Sequence, residues 1–186
     1  MTRIVGGELG GRRLQVPPGR STRPTSERAR EGLFNTLAAL MDLKGVAFAD
    51  LYSGSGAVGL EAASRGAGRV LLVEADQRAA QIIRRNSSAL GTDVARLIAL
   101  PAERVAAEAP TEGPYDVVFA DPPYRESDEQ VAELLRALVD NGWLTLRAVV
   151  VVERDRRSKE PNWPQGIETL KSRGYGEATL WYGQRA

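Results

Sequence analysis

The sequence predicts a doubly wound α/β fold, and three observations carry that prediction. Strand-like and helix-like runs alternate from Val46 to Glu153. The runs Val117-Val118-Phe119 and Val149-Val150-Val151-Val152 are apolar throughout, as central parallel strands covered on both faces must be. A glycine loop, Gly54-Ser55-Gly56-Ala57-Val58-Gly59, stands where the first strand of that alternation turns into its first helix. At 186 residues and 42% hydrophobic, the chain can fill one ordinary core.

The elements follow in order. Arg3–Leu9 and Arg12–Val16 read as short strands about a Gly10-Gly11 turn, closed by Pro17-Pro18-Gly19. After a polar loop, Thr25 or Ser26 can cap a helix with Glu27 in its first turn. Leu33, Phe34, Leu37 and Leu40 give that helix a buried face. Sheet strands are expected at Val46–Leu51, Arg69–Glu74, Val94–Leu100, Tyr115–Ala120 and Ala148–Glu153. Helices are expected at Ala57–Arg65, Gln77–Leu90, Ala102–Ala109 and Asp128–Asp140, the second capped by Asp76 and ended by Gly91. A closing hairpin, Ile167–Ser172 with Ala178–Tyr182, turns at Arg173-Gly174-Tyr175-Gly176.

Composition removes whole classes of chemistry. There is no Cys and no His, so disulfides, Cys/His zinc sites, Cys nucleophiles and His bases are excluded. No metal is called for. No run approaches the ~20 apolar residues of a membrane span, and no signal peptide is read, so a cytoplasmic location is expected. Net charge is only +1, but it is uneven: residues 1–30 hold seven Arg against Glu8 and Glu27. Such an arm suits a polyanion partner, or is a solvated segment with none.

Gly54, Gly56 and Gly59 let the backbone approach a bound cofactor, and Glu74, twenty residues after Gly54, can accept from both hydroxyls of a ribose. Together they point to an adenosine-containing cofactor, against a turn used for packing alone. Asp50, at the strand end, would repel a pyrophosphate and attract an ammonium, which favours S-adenosyl-L-methionine over a dinucleotide. Its other reading is a helix cap or a surface role. Asp121-Pro122-Pro123-Tyr124 follows an apolar strand to the ligand-binding edge of the sheet. The Asp121 carboxylate and the Pro122 carbonyl can accept from an exocyclic amine and aim its lone pair, while Tyr124 stacks on the base. A proline-rich connector is the plainer alternative.

These motifs resemble the Rossmann-like amino-methyltransferases. Arg3-Ile4-Val5-Gly6-Gly7, Gly11-Arg12-Arg13-Leu14, Val16-Pro17, Thr22-Arg23-Pro24-Thr25, Arg30-Glu31-x-Leu33-Phe34-Asn35 and Gly56 through Ala67 narrow the resemblance to the bacterial 16S ribosomal RNA guanine-N2-methyltransferases, over residues 3 to about 182. The resemblance implies a Rossmann-like class I S-adenosylmethionine-dependent methyltransferase sheet of seven strands, the last antiparallel, with an N-terminal β-hairpin and helix. It implies a division into a basic, RNA-binding hairpin and loop at 1–24 and a methyltransferase domain at 25–186. It places cofactor contacts on Asp50, Ser53, Gly54, Gly56 and Glu74, and target contacts on Asp121, Pro122, Pro123 and Tyr124. Where members often carry Asp-Ala after the third sheet strand this chain has Pro101-Ala102, so the adenine contact is lost, moves to Glu103 or is carried by backbone at Ala102. Arg12, Arg13, Arg20 and Arg23 are the expected RNA-binding residues, 16S rRNA or the small-subunit particle the partner, and a monomer the expected state. Competing readings are a DNA adenine-N6 or cytosine-N4 methyltransferase, an NAD-dependent dehydrogenase and a non-catalytic RNA-binding protein.

Overall fold

The computed structural model describes residues 1–19 and 25–186. Strands β1 (Thr2–Arg3) and β2 (Arg13–Leu14) form a small antiparallel pair. Helix α1 is Glu27–Leu40, followed by β3 (Ala47–Leu51), α2 (Ala57–Ser64), β4 (Arg69–Val73), α3 (Gln77–Leu90) and β5 (Ala95–Ile98). Then come α4 (Ala102–Ala106), β6 (Tyr115–Ala120), α5 (Asp128–Asp140), β7 (Leu144–Asp155), β8 (Ile167–Tyr175) and β9 (Ala178–Arg185). The seven-stranded sheet runs β5-β4-β3-β6-β7-β9-β8, and β9 is antiparallel to both its neighbours. The expected sheet and its reversed last strand are therefore present.

Helix starts follow local chemistry. The Ser26 hydroxyl accepts from Ala29 N and starts α1. Asp76 accepts from Arg78 N and Ala79 N and starts α3, which Gly91 ends at φ 66°. Ser127 and Gln130 form a full capping box on α5.

Two apolar layers cover the sheet. On one face Leu33, Phe34 and Leu37 of α1, Leu60 of α2 and Ile83 of α3 pack on Phe48, Leu72, Val117 and Val151. On the other, Leu134, Leu135 and Leu138 of α5 and Ala102 and Ala106 of α4 pack on Leu51, Val73, Val118 and Val150. Strands of alternating facing thus read as continuous apolar runs because both faces are buried.

Four expectations change. The N-terminal strands are two residues each, because backbone pairing stops after Ile4, whose N donates to Arg12 O: Val5 N and Gly6 N donate instead to Glu61 on α2, at 2.8 Å each. The closing hairpin turns at Gly176-Glu177, with Arg173 to Tyr175 still inside β8. Strand β7 is longer than expected, starting at Leu144 and passing an irregularity where Arg147 takes φ 65°. Helix α4 stops at Ala106.

Candidate active site

Strand β3 pairs with β4 on one side and β6 on the other. The chain leaves β3 one way and β6 the other, so their following loops part at the carboxyl edge and leave a crevice. Leu51 is level with both Val73 and Ala120, so the loops starting at Tyr52 and Asp121 leave side by side.

The glycine loop shapes one wall. Tyr52, Gly54 and Gly56 all take left-handed φ, at 62°, 58° and 83°. A Cβ on Gly54 would meet nothing within 4 Å, so that glycine serves backbone conformation beside open space. A Cβ on Gly59 would lie 2.2 Å from Leu72, so that glycine serves close helix–sheet packing. The Ser53 hydroxyl donates to Asp50 O and accepts from Val73 N, and is taken up in joining β3 to β4. Glu74 accepts from Gly54 N at 2.7 Å and from Asp76 N at 2.9 Å, which fixes its carboxylate at the crevice before any ligand arrives.

Asp50 differs from its expected setting. It does not face an open cleft; it is 1% exposed, beneath the glycine loop, with Oδ2 accepting from Gly59 N in the first turn of α2. The capping reading therefore describes its direct contact. Burial, with Glu74 and Glu153 nearby, pushes its carboxyl up to about 8 despite the Gly59 hydrogen bond. A carboxyl raised this way favours folding most below the ordinary aspartate range, and that contribution is lost as pH rises toward 8. The ligand-free Asp50→Asn variant should therefore gain Tm relative to wild type between pH 5 and pH 8.5, by several degrees, since each pKa unit is about 1.4 kcal/mol. A melting-temperature difference constant across that range would refute the assignment.

The opposite wall is the loop after β6. Pro122 is buried, Asp121 and Pro123 are half-buried, and Tyr124 is 46% exposed at the rim. Pro123 O accepts from Glu126 N and from Arg154, whereas among the described residues Pro122 O receives no donor. Arg154, near the end of β7 and almost wholly buried, also donates to Glu126 O at 2.8 Å and so clamps this loop from beneath. Removal from water pushes the Asp121 carboxyl well up; Glu153 and Asp50 add to this, while Thr25 and Arg154 oppose it. Glu153 itself accepts from the Thr25 hydroxyl at 2.6 Å. Tyr52 donates to Glu126 at 3.4 Å, tying the two walls together.

Glu153, Arg154 and Thr25 are site residues that the sequence reading passed over. The signal was available: two consecutive charges continue a buried run of four valines, which is costly unless they are paired or functional. Ala102 is buried in the core at the head of α4, so its side chain is spent on packing, while Glu103 is exposed beside it. Arg12 is exposed and donates to Ala89 O at the end of α3, at 2.6 Å; Arg13 is exposed in β2. Arg20 and Arg23 lie outside the described residues.

Much of the N-terminal pattern proves to be architecture. Glu61, fully buried, receives Val5 N, Gly6 N, Arg30 Nη1 and Arg65 Nε. Gly7 has φ 77°, and a Cβ there would sit 2.1 Å from Ser64 O, so only glycine fits. Ile4 and Leu14 are buried in the same cluster as Phe34 and Leu60, which seats the hairpin on the domain.

A seven-stranded sheet of this order, reversed only at β9, is that of the class I S-adenosylmethionine-dependent methyltransferases. The magnesium protoporphyrin IX methyltransferase of Synechocystis, solved with bound SAM, shares the fold at a TM-score of 0.67 over 86% of this chain and 79% of its own, with 12% identity. Within that class, the family model described as "Conserved hypothetical protein 95" matches residues 2–184, and the chain belongs to this family. It is 36% identical over 184 residues to Ribosomal RNA small subunit methyltransferase D of Escherichia coli, covering 98% of this chain and 89% of the relative. It is 32% identical over 176 residues to the Bacillus subtilis protein named Putative rRNA methyltransferase YlbH, covering 94% of each. The solved structure of the putative methyltransferase yhhF from Escherichia coli matches at a TM-score of 0.86 and 36% identity, over 98% of this chain and 97% of that one. The family resemblance carried by the N-terminal and glycine-loop motifs is thus upheld.

Proposed function

We propose that this protein transfers a methyl group from S-adenosyl-L-methionine to the exocyclic N2 amine of a guanine in 16S ribosomal RNA of the small subunit. The observation that carries the chemistry is the pairing, at one switch point, of an adenosine-type crevice with an acceptor platform made by Asp121 and the Pro122 carbonyl, which receives no donor among the described residues. The RNA substrate rests on the relatives' names.

The crevice suits the cofactor's charge. Glu74, Asp50, Asp121 and Glu153 lie at the carboxyl ends of the four adjacent strands β4, β3, β6 and β7. A ligand carrying a sulfonium and an ammonium favours the ionised form of these carboxyls and is drawn to the row, whereas a pyrophosphate opposes their ionisation and is repelled. This disfavours a dinucleotide dehydrogenase. The fixed carboxylate of Glu74 and the open space beside Gly54 support a ribose seated there against the backbone, with its hydroxyls donating to Glu74.

The cofactor supplies an electrophilic methyl carbon, so the protein has to aim a nitrogen lone pair and receive one proton. An aromatic amine is a weak nucleophile because its lone pair is delocalised into the ring. Acceptance of its two N–H bonds by Asp121 and Pro122 O draws the nitrogen toward tetrahedral geometry. Methylation then acidifies the nitrogen, and Asp121, whose raised pKa makes it a ready proton acceptor, or water takes the proton. Tyr124 at the rim offers its ring to the extruded base.

The deciding experiment incubates the purified protein with labelled cofactor and unmethylated small-subunit particles or naked 16S rRNA, then identifies the nucleoside by mass spectrometry. N2-methylguanosine is expected. N6-methyladenine or N4-methylcytosine formed in DNA, with RNA unmodified, would replace this reading by that of a DNA enzyme. On the same substrate, Tyr124→Ala should lose activity severely, at about 1–3 kcal/mol of lost stacking. Tyr124→Phe should retain most of it, and equal losses in the two variants would remove the stacking role.

A further inference from the structure

Helix α3 carries the feature that the site leaves unused. Its sequence, QRAAQIIRRNSSAL, contains no acidic residue. Ala79, Ala80, Ile83, Asn86 and Leu90 face the core, while Arg78, Gln81, Arg84, Arg85 and Ser88 are exposed. Arg78, Gln81, Arg85 and Ser88 follow helical spacing and form one stripe, with Arg84 beside it. Arg78 and Arg85 are separated by roughly 10 Å along the axis at 1.5 Å per residue. Among the described residues none of the three arginines is paired with a carboxylate. The neighbouring acids stand at the helix ends: Asp76, whose carboxylate is held by Arg78 N and Ala79 N, and exposed Asp93.

Two contacts make this stripe continuous with the hairpin and the cofactor loop. Arg12 donates to Ala89 O, which brings its guanidinium to the end of α3 with further N–H donors to spare. Asn86, 3% exposed, uses its whole amide as a weld: Oδ1 accepts from Gln15 N, and Nδ2 donates to Gln15 O and Ser55 O. At its other end α3 begins three residues beyond Glu74, and its cap is joined to Glu74 through Asp76 N.

We propose that the solvent face of α3, through Arg78, Arg84 and Arg85, forms with Arg12 and Arg13 a phosphate-binding track that holds the RNA backbone flanking the target base. This rests on the RNA-methyltransferase reading above and changes one part of it: the grip is not confined to the N-terminal hairpin but runs along the body of the domain toward the cofactor crevice. Guanidinium groups on one rigid helix, without competing carboxylates, suit a row of phosphates read without regard to sequence. A target base must leave its stack to reach Tyr124, and a backbone held beside the crevice would keep it there.

The test measures binding of the full-length protein to unmethylated 16S rRNA at several salt concentrations. It compares wild type, Arg84→Ala/Arg85→Ala and Arg84→Glu/Arg85→Glu. Each lost phosphate contact should lower the slope of log affinity against log salt by roughly 0.7–0.9, so the alanine pair should lose about 1.4–1.8. The glutamate pair should bind more weakly still. Both should bind S-adenosylhomocysteine and melt as wild type does, because the replaced side chains are exposed. A slope equal to that of wild type in the alanine pair, with wild-type RNA binding and methylation intact, would overturn the track while leaving the enzyme assignment standing. If the wild-type protein neither binds nor methylates rRNA, both fall.

Discussion

Asp121→Asn is expected to lose methyl transfer by roughly 10²–10⁴-fold while S-adenosylhomocysteine binding changes little, the range of removing a positioned acid–base group. The substitution keeps shape but exchanges one acceptor oxygen for an N–H group that would confront the target amine donor to donor. It also removes the group that burial, Glu153 and Asp50 have tuned as a proton acceptor. The same neighbourhood makes a pH prediction. Ionised Asp121 is the active form, so activity should fall as pH drops through a value above the ordinary aspartate range. Glu153→Gln removes the neighbouring charge that raises the Asp121 carboxyl most and should move that acid limb to lower pH. Steady-state rates across pH at saturating cofactor would show it. Near-normal turnover in Asp121→Asn would remove the carboxylate from the chemistry altogether.

The second large effect concerns stability. Glu61→Ala should destabilise the fold by about 3–5 kcal/mol, because it strands the Arg30 guanidinium, fully buried and bonded to Glu61 at 3.2 Å. Burial already lowers the Arg30 pKa, and Glu61 is the main group opposing that. Two backbone donors, Val5 N and Gly6 N, lose their acceptor in the same step. Against a typical total of about 5–15 kcal/mol this is a large share. Urea unfolding would measure it, and a loss under 1 kcal/mol would show that the clamp is replaceable. Glu61→Gln should cost less, since it keeps one acceptor for the backbone.

Local patterns made most of this fold legible. The apolar runs at Val117–Phe119 and Val149–Val152 have a physical cause that acts within a few residues, namely burial on both sides of a sheet. The Asp76 cap and the Gly91 stop are likewise local and stand where they were read. What the pattern could not show was which partner a side chain would choose across the fold. Asp50 looked like a cleft-facing carboxylate, but it accepts from Gly59 N, nine residues on. Arg12 read as a phosphate contact from its charge alone, and its hydrogen bond to the end of α3 was not visible there. The strand expected through Leu9 gave way because Glu61, more than fifty residues away, competes for its N–H groups. Arg154 was hidden because its task, holding the loop after β6, is defined only once β7 is set beside it.

The way the first fifteen residues are seated decides how the protein can be dissected experimentally. Ile4 and Leu14 fill the core, Gly7 fits under Ser64 O, and Gln15 completes Asn86. Deleting this segment to ask whether it recognises RNA would open an apolar hole, take two backbone donors from buried Glu61 and free an amide beside the glycine loop. An inactive truncation would then report a damaged scaffold and say nothing of recognition. Separating substrate capture from catalysis in this protein therefore calls for exposed arginines replaced on an otherwise intact chain.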